Sequence, residues 1–423
     1  MFKDCKKLKK IIFNNNTLTT NLEEMKYMFS GCFSLESIDT KIIKVNKVFN
    51  LSHVFDNCHK IQEINLSNFE TENVEDMSNL FDSCSDLRTI DLSHFDTSKV
   101  TTMDNMFAHC TNITFLDISY FNFENVISTR AMFQACSNLV EIKFNDNTLT
   151  KNLENMNYMF RECYSLEQIN TKIFNQYKVK FLKLAFASCG VKELYLSYFE
   201  NIEELSYASS ECKDLEKIYF SHFNTSKVHS FEGLFDSCEK LTSLDLSSLI
   251  FSSVVSLDSM FSFCTSLQYV SLPNYIPLLT TVEKMFEYCE NLSSINLDFL
   301  QSATKLEKIG GMFSYCTSLN EIIFPELNAN YLWSTYKMFI GCTNLININL
   351  EGLKTNSIQI MISMFENCVS LKSLNIFNLN TGNVAYIASI FKGVKKGINI
   401  TYNPMITDHD LRSEIEKISI GWL

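Results

Sequence analysis

The stretch Cys84-Ser85-Asp86-Leu87-Arg88-Thr89-Ile90-Asp91-Leu92-Ser93-His94-Phe95-Asp96-Thr97-Ser98-Lys99-Val100-Thr101-Thr102-Met103-Asp104-Asn105-Met106-Phe107-Ala108-His109-Cys110 holds two periods. Ile90 and Leu92 alternate with Thr89, Asp91 and Ser93, the mark of a short strand with one buried face. Val100, Met103, Met106, Phe107 and Cys110 follow at spacings of 3, 3, 1 and 3, which predicts one apolar face of a helix or 3₁₀ segment. Strand, turn and short helix, closing back on a strand, make one coil of a solenoid.

The coil recurs along the whole chain. Thirteen of the fourteen gaps between the fifteen cysteines are 25 to 27 residues, and Phe stands three places before nearly every one. The exception is Ser209, before Cys212; Phe391 marks a further unit with Val394 in the cysteine place. Leu35, Leu87, Leu139, Leu241 and Leu319 repeat three places after the cysteine, and Ile38, Ile90, Ile142, Leu244 and Val270 six places after it. A supersecondary unit repeated at this period buries its apolar face against its neighbours, so the length of 423 residues implies one array and no division into globular domains. The fold expected is an α/β repeat solenoid of about 16 coils, with a parallel sheet on one face and short helical segments on the other, over residues 1–400. Residues 401–423 are expected to form a capping helix and tail: Thr407 to Asp410 resembles a capping box, followed by Leu411, Ile415 and Ile418 at helical spacing.

Residues 13–42 recur almost verbatim at 144–173, a displacement of five coils, whereas Ser93–Val100 returns as Ser221–Val228 three residues early. A duplicated block was therefore shortened between Cys189 and Cys212. At the other end, Met1 and Phe2 already occupy repeat registers, so the first apolar edge is expected to meet a missing upstream segment or another subunit.

The registers, above all Met-Phe-x-x-Cys (Met106 to Cys110) and Ser-x-Phe-x-Thr-x-x-Val (Ser93 to Val100, Ser221 to Val228), resemble the BspA-like leucine-rich repeats over residues 1–400. The resemblance implies a right-handed leucine-rich-repeat array, displayed on the surface of bacteria or parasitic protists for adhesion or host contact, and a protein-binding rather than enzymatic role. Here a signal peptide is not evident, because Lys6, Lys7, Lys9 and Lys10 interrupt any apolar core. A cell-surface or extracellular location is the first expectation, and a cytoplasmic adaptor scaffold the alternative.

Composition narrows the chemistry. A net charge of −12 disfavours nucleic acid and anionic membrane, and no apolar run is long enough for membrane insertion. No nucleophile elbow, phosphate loop or His-Glu-x-x-His occurs, so neither a catalytic site nor a cofactor is expected. The cysteines allow metal binding or inter-coil disulfides, but their spacing and parallel stacking favour a ladder of buried free thiols serving as small hydrophobes. The expected partner is a protein, either host or self, and two surfaces are candidates for it. Asp91, Asp117 and Asp245 belong to an outward row of Asp and Asn that could meet cations or a basic partner, or be a solvated polar ladder. In the shortened coil Tyr195 and Tyr219 replace that row, with Tyr198 and Tyr207 nearby, offering the stiff amphipathic area of a recognition hot spot or merely filling a distorted coil.

Overall fold

A computed structural model describes residues 1–13, 21–38, 40, 43–145, 150–174, 178–197, 199–356, 358–406 and 408–419. It is a parallel-strand solenoid of about 14 turns with little helix. The described residues divide into two compact units, Met1–Ile202 with Lys217–Phe223, and Glu203–Glu216 with Asn224–Leu423. In the first, strands of two or three residues pair in parallel, as Glu63–Ile64 with Thr89–Ile90 and Phe115–Asp117 with Glu141–Lys143. In the second, Glu321–Ile323, Asn347–Asn349, Ser373–Asn375 and Asn399–Thr401 form a four-stranded sheet. The registered Leu35, Leu87, Leu139, Leu241 and Leu319 are wholly buried, while Ile38, Ile90 and Ile142 are half-buried.

The short helices expected opposite the sheet are replaced by tandem turns. In the quoted coil Met106 N–H donates to Met103 O at 3.2 Å and Cys110 N–H to Phe107 O at 3.2 Å. The third residue of each turn is left-handed, Asn105 at φ 54° and His109 at φ 58°, as a type II turn requires. Alternate N–H groups point along the stack: those of Asn105, Phe107 and His109 donate to Arg130, Met132 and Gln134 at 2.7 to 2.9 Å. A helix would direct every N–H back into its own coil, so it cannot coexist with this ladder. The 3-3-1-3 spacing is common to both arrangements.

The inner face of the turns is a ladder of rings. Phe2, Phe29, Phe55, Phe81, Phe107, Phe133, Phe160 and Phe186 stack at 5.5 to 6.1 Å in the first unit. Phe235 through Phe391 do so at 5.5 to 5.8 Å in the second. Beside them run the cysteines, all free thiols and all buried except Cys5. They are more than small hydrophobes. The buried thiols reach the carbonyl three places before the preceding cysteine: Cys58 Sγ donates to Phe29 O at 3.3 Å and Cys110 Sγ to Phe81 O at 3.1 Å. Phe29 O already accepts the Cys32 N–H at 3.2 Å, so the thiol fills its second lone pair. Cys238 does the same to Ser209 O at 3.3 Å, where the ring is missing but the carbonyl remains.

Other polar residues close the corners. Buried Thr97 donates to Asn122 O at 3.1 Å and accepts Asn122 N–H at 2.7 Å; Thr225 bridges Ile250 in the same way. At the C-terminal end a helix spans His409–Ile418 and buries Leu411, Ile415 and Ile418. Its cap is Asp408, whose Oδ1 accepts the Leu411 N–H at 2.6 Å. Thr407, the cap expected from the sequence, lies outside the described residues.

Three measurements test this architecture. Ala135 sits at φ 57°, so Ala135→Gly is expected to leave stability unchanged or raise it by up to about 1 kcal/mol in urea unfolding; a helical residue would lose about that much. Burial holds thiols such as Cys84 and Cys342 well above their usual 9.0. The folded chain then keeps protons that the unfolded chain loses, so the stability these thiols contribute is constant below pH 9 and falls above it, by roughly 1.4 kcal/mol per pH unit for each such thiol. Native protein should present one rapidly reacting thiol, Cys5, and the other fourteen only in denaturant.

Candidate functional site

The shortened coil keeps its buried registers by omitting residues at two corners. Val191 lies two places after Cys189, where Leu87 lies three after Cys84; Ile202 lies three after Phe199, where Val100 lies five after Phe95. Val191, Leu194, Phe199 and Ile202 are nonetheless fully buried. The second omission removes the corner that elsewhere carries a buried threonine. The first draws the backbone inward at Gly190, where a Cβ would stand 2.3 Å from Tyr164 O.

The strand that follows, Glu193–Tyr195, pairs in parallel with Lys217–Tyr219, placing Tyr195 opposite Tyr219. Their rings stack 4.4 Å apart and 10° from parallel. Both are half-buried. The Tyr195 hydroxyl donates to Glu193 Oε2 at 2.8 Å, and Lys217 Nζ lies 3.6 Å from Glu193 Oε1. Lys172 Nζ stands 5.7 Å over the outer face of Tyr195. The bond to Glu193 pushes the Tyr195 phenol up to about 12 and draws Glu193 below the usual carboxylate range. The stack is thus neutral aromatic area, pinned at one hydroxyl and framed by opposite charges.

Tyr207 belongs to the second unit and serves its turns. Its hydroxyl donates to Glu232 Oε1 at 3.0 Å, and its ring covers Gly233, where a Cβ would come within 2.1 Å of it. Tyr198 lies outside the described residues.

Asp91, Asp117 and Asp245 close the turn after each strand. Asp91 Oδ1 accepts the Ser93 N–H at 3.0 Å, Asp117 that of Ser119 at 3.0 Å, and Asp245 that of Ser247 at 2.9 Å. Asn65, Asn349 and Asn375 accept the same bond, so the register requires one oxygen, not a charge. Bonds from Ser93 and Ser247 lower the Asp91 and Asp245 carboxyls. Asp117 is held at about 2, chiefly by Lys143 at 2.8 Å. Among the described residues no cluster of three His, Cys, Asp or Glu could hold a metal ion.

One surface feature escaped the sequence reading: Phe263, Tyr288 and Tyr315, each one place before its cysteine, stack at 4.6 and 4.5 Å. Three aromatics in one register were the signal, hidden because that column holds mostly polar residues elsewhere.

Ladders of short strands, rings and leucines define a leucine-rich-repeat solenoid with a surface pair of stacked tyrosines. The chain belongs to the family described as Mycoplasma protein of unknown function, DUF285, whose profile matches residues 1–66, 49–173, 142–202, 180–299 and 280–403. This is the BspA-like repeat that the registers resemble. No curated protein matches the chain significantly. Among solved structures, a leucine-rich repeat protein from Bacteroides ovatus is 21% identical, with 91% of this chain and 85% of that one covered and a TM-score of 0.49. A leucine rich cell surface protein from Faecalibacterium prausnitzii is 16% identical over 94% of this chain and 79% of its own, with a TM-score of 0.32.

Replacing Gly190 with Ala is expected to destabilise the chain by about 1–3 kcal/mol, since the obstructing atom is a backbone oxygen. The shift in urea midpoint measures it, with Gly382→Ala, an exposed turn position, as the control.

Proposed function

We propose that this chain is a non-enzymatic protein-interaction scaffold, displayed on a cell surface or secreted in the manner of an adhesin. The observation that carries this reading is the Tyr195–Tyr219 stack, half-buried on a strand face and pinned by Glu193. Rigid aromatic area with a polar edge binds protein at small entropic cost, and the hydrogen-bonded repeat beneath it cannot easily shift. The row of Asp91, Asp117 and Asp245 is a weaker contact surface, because those carboxylates already cap turns of their own chain.

The free thiols do not favour the intracellular alternative. Thiols that are buried and held protonated are poor substrates for oxidants in any compartment. Fourteen of them are buried here, so their reduced state is compatible with an oxidising exterior.

Fluorescently labelled chain is expected to bind host cells saturably. Tyr195→Ser with Tyr219→Ser should weaken that binding at least about tenfold, the cost of losing a hot spot, with little change in melting temperature. Unchanged binding by the double variant removes the stack from the interface. Antibody labelling of intact source cells tests display, and signal only after permeabilisation would favour the intracellular scaffold.

A further inference from the structure

Surface ring stacks in the first unit share one arrangement. Phe33 and His59 stack at 5.1 Å, one place after their cysteines, and Lys6, in that register of the preceding coil, stands 5.2 Å from the Phe33 ring centre. Tyr27 and His53 stack at 4.5 Å, with Lys3 at 4.3 Å over Tyr27. Lys172 covers Tyr195 in the same sense. Each outer ring face is covered by a cation of the chain itself, since the quadrupole of an exposed ring attracts one.

The second unit holds a stack without this cover. Phe263, Tyr288 and Tyr315 lie within 11° of parallel, and the far end closes on Gly341, where a Cβ would meet Tyr315 at 2.5 Å. The near end is the outer face of Phe263, which is 42% exposed. In that register the preceding coil carries Ser237, tied to the Phe263 coil by its N–H to Ser262 O at 2.7 Å. Serine is too short to cover the Phe263 ring as an aromatic in this register covers the next. Among the described residues no lysine or arginine lies over Phe263.

The slot also has an acid at its margin. Asp236 precedes Ser237 and accepts its hydroxyl at 3.2 Å. Burial holds the Asp236 carboxyl up at about 6; Glu211 and Glu287 add repulsion, and Lys284 opposes it. Lys284 is itself engaged with Glu287 at 3.7 Å. In the same two registers of the first unit Asp82 Oδ1 lies 3.2 Å from His109 Nδ1, so the carboxylate column reaches the ring of the next coil; guanidinium stacks on aromatic faces and presents a fork of donors to carboxylate oxygens.

We propose that the outer face of Phe263 and the neighbouring Asp236 form a recognition slot for an arginine side chain on an exposed basic segment of a partner protein. The slot is independent of the tyrosine pair of the first unit, so either can fail without the other. Within the chain, Lys6 on Phe33 shows the same contact made in cis.

The test titrates the full chain with the peptide acetyl-Gly-Ser-Arg-Gly-Ser-amide and with its citrulline counterpart, which keeps the shape but lacks the charge. The arginine peptide is expected to shift the Phe263 and Tyr288 ring resonances saturably, and the citrulline peptide to bind about tenfold more weakly. Phe263→Ala and Asp236→Asn should each weaken binding by a similar factor, and Phe263→Tyr should preserve it. Ser237→Lys supplies the cation from within, so it should abolish peptide binding while maintaining or raising the melting temperature. Equal binding of the two peptides, no saturable binding by the unaltered chain, or full binding by Ser237→Lys would overturn the proposal. A concentration-dependent dimer broken by Phe263→Ala would overturn it in favour of a second copy of this chain.

Discussion

Everything in this fold depends on hydrogen bonds directed along the stack. Each coil of 25 to 27 residues buries much of its backbone, and burying an unpaired amide costs about 1–3 kcal/mol. The solution is to hand N–H groups to the next coil on two sides. Short strands do this on one side, as between Glu63–Ile64 and Thr89–Ile90. Turns do it on the other, where Asn79, Phe81 and Ser83 donate to Asp104, Met106 and Ala108. Left-handed residues are the cost, and non-glycine ones such as Ala131 and Leu184 accept it.

Cysteine acquires its place from the same constraint. The carbonyl of the stacked Phe is buried and has two lone pairs, one taken by its own turn. A residue with a small apolar body and a donor that reaches the neighbouring coil is required. Serine would carry more desolvation cost, and valine has no donor; the thiol meets both needs, as Cys84 to Phe55 O at 3.2 Å shows. Burial then holds the thiol protonated, which keeps it a donor.

The frame leaves its outward registers free to vary, and their contents stack in rows because the coils do. A row of Asp and Asn becomes a set of turn caps; a pair of tyrosines becomes a stack; three aromatics in line become a ladder with one open end. Surface recognition in such a molecule arises where a row changes character: at the shortened coil for Tyr195 and Tyr219, and at the step from Ser237 to Phe263. Regular rows satisfy themselves, and their ends do not.

Much of this was legible before any coordinates. The Phe, Leu and Cys registers named the buried ladders because burial is periodic and so is the sequence, and the gap from Cys189 to Cys212 marked the altered coil. The sequence placed Tyr195 and Tyr219 in the altered row, and the parallel pairing of their strands sets them opposite one another. What the sequence could not decide was direction. Spacings of 3, 3, 1 and 3 put Val100, Met103, Met106, Phe107 and Cys110 on one face in a helix or in tandem turns alike, and only the tertiary stack, by accepting the N–H groups of Asn105, Phe107 and His109, selects turns. Likewise the sequence listed Asp91 and Asn65 in one row, but only the folded corner shows that one oxygen of each is already used. Periodicity records which side chains are buried; it does not record where a hydrogen bond points, because that partner lies a whole coil away.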